Sequence, residues 1–328
     1  MTRLDDQQNP ARTAGFFVAN PDDGIFTVDT HHIRSHLDAG HFIVDHGRVA
    51  IVDTGTALGV PHLLAALDAL HLSRDQVDWI LLTHIHLDHA GGAGELLRHL
   101  PNATVAVHPR GARHLVDPTK LVAATIEVYG DEFFKNLYGA VVPVPADRVV
   151  ACEDDTELSL GHRRIAVWHT PGHALHHQVY VDQFARVILA GDAFGVSYRE
   201  FDLADKQFIM PATTPSQLDP PAMIASIQRI CAYNPKAVYV THYSRLHHVA
   251  VLGEELIELV HQFTACAIRM HQAGGTPADL KQSLESIVFE RLDRFGDQQT
   301  TARRRQLLDL DLELDAQGLW HWVTRQTP

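Results

Sequence analysis

Three imidazoles and a carboxylate fall within six residues, His84-Ile-His86-Leu-Asp88-His89, and this run constrains the chain more than any other feature. So many lone pairs crowded into one short stretch make chemical sense around a metal ion. An apolar segment, Val77-Asp-Trp-Ile-Leu-Leu82, precedes the run and reads as a buried strand. Ala90-Gly-Gly-Ala-Gly94 follows it and is expected to let the backbone turn sharply into a helix. The candidate ligands therefore lie on a loop at the C-terminal end of a strand.

Similar strand-to-motif transitions recur along the chain. His41-Phe-Ile-Val-Asp-His46 and Arg48-Val-Ala-Ile-Val-Asp53 read as paired strands around a turn at His46-Gly47. Leu63, Leu64, Leu67 and Leu70 have helical spacing, and Thr104-Val-Ala-Val-His108 reads as the next strand. Short β-rich segments recur from Val141 to Leu189, among them Arg164-Ile-Ala-Val-Trp168 and Arg186-Val-Ile-Leu189. Asp219-Pro220 is a helix start for Met223 to Ala232, and Ala237-Val-Tyr-Val240 is a strand ending at Thr241-His242, with no clear strand beyond it. Helical patterns at Glu254 to Met270, Ala278 to Leu292 and Thr301 to Leu312 close the chain. The expected organisation is a polar leader over 1–14, a catalytic domain over 15–250 and a helical C-terminal extension over 251–328.

Composition narrows the function. The formal charge of −13 argues against binding to nucleic acid or an anionic membrane, for which a basic surface is needed. Cys152, Cys231 and Cys266 form no CxxC pair, so neither a disulfide framework nor a thiolate zinc knuckle is expected. The first residues lack the apolar core of a signal peptide, and no apolar run approaches the ~18 residues of a membrane helix. A soluble, cytoplasmic protein is the expectation. Histidine alone is a poor pointer here, because its 24 copies nearly match the 27 lysines and arginines.

Spacing has to discriminate, and four deliveries stand out at strand ends: the His84/His86/Asp88/His89 run, His173 in Thr170-Pro-Gly-His173, Asp192 in Ala190-Gly-Asp192, and His242 in Val240-Thr-His242. Seven such ligands exceed what one tetrahedral ion takes, so two ions sharing a carboxylate and a hydroxide are the economical arrangement.

This ordered signature resembles the metallo-β-lactamase-fold superfamily of metal-dependent hydrolases over roughly residues 25 to 250. The resemblance implies a four-layer αββα sandwich of α+β class, with the metals at one edge. Carried over by position, it puts His84, His86 and His173 on a first ion, Asp88, His89 and His242 on a second, and Asp192 between them. It gives Asp53, in Ile51-Val-Asp53-Thr-Gly55, a supporting role that orients ligands through hydrogen bonds. It also implies that Asp88 and Asp192 position a hydroxide for attack on an electrophilic carbonyl or phosphorus. Zinc is the first expectation for the two divalent ions, with iron or manganese as alternatives, since histidine-rich sites accept all three.

Within the superfamily the substrate cues are mostly negative. Acyl-homoserine lactonases resemble Asp-Ala-Ser-Tyr at the bridging aspartate, whereas this chain has Asp192-Ala-Phe-Gly195. His177 follows His173 as in glyoxalase II, but His176 stands where that pattern has glycine. His108 is expected in the core or behind the ligands, and His247 and His248 at the surface. The aromatic residues Tyr129, Phe133 and Tyr138, between Ile126 and Gly139, suggest a substrate lid or an amphipathic core helix, with Phe134 in the same run. Phe194, Tyr198, Phe201 and Phe208 are expected to line the same pocket. The resulting expectation is a dinuclear hydrolase acting on the ester, thioester or lactone carbonyl of a partly apolar small molecule. The alternatives are an iron-dependent oxidoreductase acting on a sulfur substrate and a regulatory binding protein of the same fold. The helical C-terminus is expected either to pack on the sandwich or to form a homodimer.

Overall fold

Alternation along the strands sorts the apolar side chains into three separate cores, and three cores require four layers. In β4 (Arg48–Val52), Val49 and Ile51 face one core while Ala50 and Val52 face another. In β11 (Val187–Gly191), Val187 and Leu189 join Ala50 and Val52, whereas Ile188 and Ala190 point away into the third. The computed structural model describes residues 17–20, 23–204, 206–213 and 217–326, so the expected 1–14 leader lies outside the described residues.

The first sheet runs in the order β1 to β7, from β1 (Phe17–Asn20) through β2 (Ile25–Asp29), β3 (Ala39–Asp45), β4, β5 (Val77–Leu81) and β6 (Thr104–Val107) to β7 (Val149–Ala151). Its first three pairings are antiparallel and its last three parallel. The second sheet has the order β13-β12-β11-β10-β9-β8, built from β8 (Glu157–Leu160), β9 (Arg163–His169), β10 (Gln178–Asp182), β11, β12 (Ala237–Val240) and β13 (Ser244–Leu246). Only β11 and β12 pair in parallel there. The two sheets meet across Ile43, Leu81, Ile165, Tyr180 and Tyr239.

Helices Val60–Ala69 and Ala93–Leu97 cover the outer face of the first sheet through Leu63, Leu67 and Leu96. The second sheet is covered by helix Pro220–Ala232, which Asp219 caps by accepting from the Ala222 N–H at 3.1 Å. Three long helices then follow, Val249–Gln272, Pro277–Phe295 and Thr301–Gln326. Leu256, Val260, Leu284, Leu308 and Leu319 from these helices share one core with Ile188 and Val238 of the sheet, so the helical extension packs on the sandwich itself.

Two local expectations change. Strand β13 was not visible as a pattern, because three residues at a sheet edge carry no periodicity. Gly91 and Gly92 have ordinary negative φ, so no sharp turn explains them. Close packing explains Gly92 and Gly94: a Cβ on Gly92 would stand 2.8 Å from the Thr56 carbonyl oxygen, and one on Gly94 1.9 Å from that of Val142.

Candidate metal centre

Each motif lies just past a strand: His84 after β5, His173 after β9, Asp192 after β11, and His242 between β12 and β13. The loops bring all seven side chains together. His84 Nε2 and His173 Nε2 lie 2.9 and 3.1 Å from His86 Nδ1. On the other side, Asp88 Oδ2 is 3.7 Å from His89 Nε2 and 3.6 Å from His242 Nε2. Asp192 stands between the groups. Its Oδ1 faces His89 Nε2 at 3.3 Å and His242 Nε2 at 3.6 Å, while its Oδ2 faces His173 Nε2 at 3.4 Å and His84 Nε2 at 4.0 Å.

The hydrogen bonds behind the rings decide which nitrogen points inward. Thr83 Oγ1 spends its proton on Asp53, so it accepts from His84 Nδ1 at 3.1 Å. Asp53 Oδ2 takes the Nδ1 proton of His89 at 2.8 Å, and the Ala212 carbonyl takes that of His173 at 2.9 Å. His242 Nδ1 faces the Leu37 carbonyl at 3.3 Å and Asp38 Oδ1 at 2.8 Å. Four imidazoles thus turn Nε2 toward the cluster, the orientation in which a neutral histidine ligates a metal.

The donor set fits divalent ions on a second count. His89 Nε2 and Asp192 Oδ1 are both buried without a hydrogen-bond partner, a costly state that a cation between them would relieve. Three groups of residues have ligand atoms close enough to hold an ion here: His84/His86/His173, His84/His89/Asp192 and Asp88/His89/His242.

Burial and mutual repulsion hold His84 and His86 well below the ordinary histidine range, which keeps their lone pairs available. Burial also opposes charge on His242, but Asp192 and Asp38 outweigh it and push that ring up to about 10. Asp192 is lowered well below the carboxylate range: burial resists this, and His89, His242 and His173 overcome it.

Asp53 is the hub behind the ligands. It accepts from the Thr83 N–H and hydroxyl, from His89 and from the Thr241 hydroxyl at 2.8 Å. Its φ of 55° is rare for a non-glycine residue, the kind of local strain often found beside sites. Gly191, with φ of 49°, must lack a side chain, since a Cβ would stand 2.5 Å from Thr83 Oγ1 and 3.0 Å from His177 Nε2.

Four supporting residues escaped the sequence reading or were undervalued by it. Asp38 has no motif around it. Thr83 and Thr241 had a signal, a threonine directly before each ligand histidine, whose meaning appears only once both hydroxyls are seen to point at Asp53. His177 accepts the Asp192 backbone N–H at Nε2, 3.2 Å away, and its Nδ1 therefore donates to Thr170 Oγ1 at 2.9 Å. It holds the loop that carries Asp192. His108 caps helix Pro109–Val116 by accepting from the Arg110 N–H at 3.1 Å, His247 is half-buried and His248 is exposed.

The expected aromatic pocket is redistributed. Phe194, Phe201 and Phe208 are fully buried in the core under the helical extension, and Tyr198, equally buried, donates its hydroxyl to Asp311 at 2.8 Å. They fill the core because the loop after Asp192 dives between sheet and helices instead of crossing the mouth of the site. In the 126–139 segment Phe134 is buried and Tyr138 is half-buried, its ring 5.9 Å from that of His32. The side chains of Tyr129 and Phe133 lie outside the described residues.

An αββα sandwich with such a cluster at one edge defines a class of metal-site proteins, and the comparisons place the chain within it. The family model of the metallo-beta-lactamase superfamily matches residues 41–242, more than half of the chain, and the chain belongs to that superfamily. It is 32% identical over 173 residues to the metallo-beta-lactamase fold-containing protein ST1585 of Sulfurisphaera tokodaii, a match covering 51% of this chain and 61% of the relative. Hydroxyacylglutathione hydrolase of Salmonella paratyphi A is 41% identical over 93 residues, 27% of this chain and 33% of that protein. The matches thus span less than two thirds of these curated relatives. The crystal structure of the metallo-beta-lactamase family protein TTHA1429 from Thermus thermophilus shares the fold, with a TM-score of 0.65, 20% identity and coverage of 92% of this chain and 94% of that one.

Proposed function

We propose that the chain is a dinuclear metal-dependent hydrolase acting on the carbonyl of an ester, thioester or lactone. The observation that carries this reading is the placement of Asp192, one oxygen toward each set of imidazoles. Divalent ions, zinc first among them, would be held by these residues and would supply an acidified water and a Lewis acid for the carbonyl oxygen.

The chain's own groups do the rest. His84, His86 and His173 form one cradle and Asp88, His89 and His242 the other, with Asp192 shared. Asp88 is the most exposed carboxylate of the set, its side chain 30% accessible, and it is placed to hold a proton of the attacking water at the open face. His177 and Asp53 fix Asp192 and His89 so that neither swings during the reaction. The apolar part of the substrate would lie toward Tyr138, since Phe194, Tyr198, Phe201 and Phe208 are in the core. The family and one relative support the class: the family is one of hydrolases in general, and a partly matching relative bears the name hydroxyacylglutathione hydrolase.

A panel of thioester, lactone and phosphodiester substrates, run on protein of measured metal content, tests the reading. Turnover of a carbonyl substrate that disappears in Asp192→Ala is the expected result. Full activity and full metal content in that variant would overturn the bridging role.

A further inference from the structure

We infer that a cavity beside the metal centre is a subsite for an anionic, carboxylate-bearing arm of the ligand. The cavity, of about 290 Å³, is lined by Arg110, Arg113, His114, Leu175, His176 and Gln217 together with Pro109. Its size sits at the low end for ligand pockets, roughly 300–1,000 Å³, and suits one arm of a molecule better than the whole.

His176 joins this cavity to the metal centre. Its ring lies 5.6 Å from that of His86 and stacks 6.1 Å from that of His84, while the same residue forms part of the cavity wall. His176 thus stands against both, and a molecule with its carbonyl at the cluster would reach the cavity with a tail that runs past His176.

The wall is rich in hydrogen-bond donors and poor in acceptors. Arg110 and Arg113, three residues apart on helix Pro109–Val116, share a face and have no acidic ion-pair partner among the described residues. Arg113 Nε donates to His114 Nε2 at 3.1 Å, which leaves the other guanidinium nitrogens uncommitted to that contact. Gln217 spends its carbonyl oxygen on the Leu175 N–H at 3.0 Å, so its amide NH₂ remains as a donor. His176 Nδ1 is buried without a hydrogen-bond partner, in a residue only 8% exposed. On a chain of net charge −13, two arginines without acidic partners around one cavity form a local reversal of sign. Such a wall repels a cation and leaves a neutral arm's surroundings unpaired, whereas a carboxylate can accept from Arg110, Arg113 and the Gln217 amide and matches the guanidinium fork.

The inference deepens the hydrolase reading, but binding of an anion in the cavity is measurable without turnover. The probes are 3-(2-oxopropylthio)propionate, a thioether that cannot be hydrolysed, and its uncharged carboxamide, titrated calorimetrically into full-length, metal-loaded protein. The carboxylate is expected to bind at least about tenfold tighter than the amide, with a preference that shrinks as salt is raised. In Arg110→Glu/Arg113→Glu, two substitutions at exposed positions, the two probes are expected to bind alike. Equal affinities in the natural protein, no binding of either probe at millimolar concentration, or a preference that survives in a folded double variant would each overturn the subsite. Failure to hydrolyse the matching thioester would count against the hydrolase reading alone.

Discussion

The two ends of the sandwich both bury carboxylates, and they treat them in opposite ways. At the end away from the cluster, Asp23 takes the Lys236 ammonium at 2.7 Å, the Tyr239 hydroxyl at 2.7 Å and Arg245 at 3.1 Å. Asp182 beside it takes Arg163 and the N–H groups of Phe184 and Ala185. At the metal edge, Asp192 is just as buried, yet its Oδ1 has no hydrogen-bond donor and stands among imidazoles turned toward it. Burial alone therefore does not mark function. What marks it is burial with hydrogen-bonding capacity left unmet, in a form that only a cation would satisfy.

The largest test of that contrast exchanges the two kinds of carboxylate. Asp192→Ala is expected to lose at least one equivalent of metal and more than about 100-fold in activity, beyond the range of a residue that merely supports a ligand. Its unfolding free energy without metal should change little. Asp182→Ala is expected to do the reverse: it takes the nearer carboxylate from the buried Arg163 charge, leaving Asp45 at 3.5 Å, and costs about 3 kcal/mol in urea unfolding, with metal content intact.

Asp38→Ala probes the boundary between these cases, since Asp38 faces a ring of the cluster without belonging to it. A fall in affinity for one of the two ions of about 10–100-fold, measured by competition with a chelator, is the expectation. Unchanged affinity for both ions would place Asp38 with the structural carboxylates.

The smallest effect concerns Asp311, half-buried on the last helix with its carboxyl turned toward Tyr198, where desolvation raises that carboxyl to about 6 despite the Tyr198 hydrogen bond. A folded-state value above the ordinary one means that the stabilisation belongs to the protonated form. It is present in full below pH ~4 and lost as pH rises through about 6. Asp311→Asn cannot ionise, so thermal or urea unfolding should find it on the order of 2 kcal/mol more stable than the natural protein at pH 8 and equal to it at pH 4. A variant that is less stable at pH 8 would show that Asp311 is ionised and paired in the native fold.

The histidine and aspartate cluster was largely legible in the sequence, because its side chains belong to local motifs at strand ends and strand ends are visible as apolar runs. The helices at Val60–Ala69 and Pro220–Ala232 were legible for the same reason, through spacing and an aspartate-proline start. Asp38 was not, since its role is set by contact with His242, far along the chain, and no spacing records that. The aromatic group from Phe194 to Phe208 misled because a side chain's hydrophobicity does not say whether it faces a cavity or a core. That choice was made by the three C-terminal helices, whose packing over the second sheet depends on long-range contacts. Arg110 and Arg113 drew no notice for a related reason: on a strongly acidic chain two arginines on a helix read as solvated surface until His176 is seen on the same cavity wall.

The central claim is that Asp192 sits between two cations. Anomalous diffraction from crystals of the metal-loaded protein, recorded above and below the absorption edge of the bound element, tests it most directly. Two peaks about 3.5–4 Å apart, one within the His84/His86/His173 cradle and one within the Asp88/His89/His242 cradle, are the predicted result. A single peak at saturation, or a pair that leaves Asp192 outside the coordination of either ion, would contradict it.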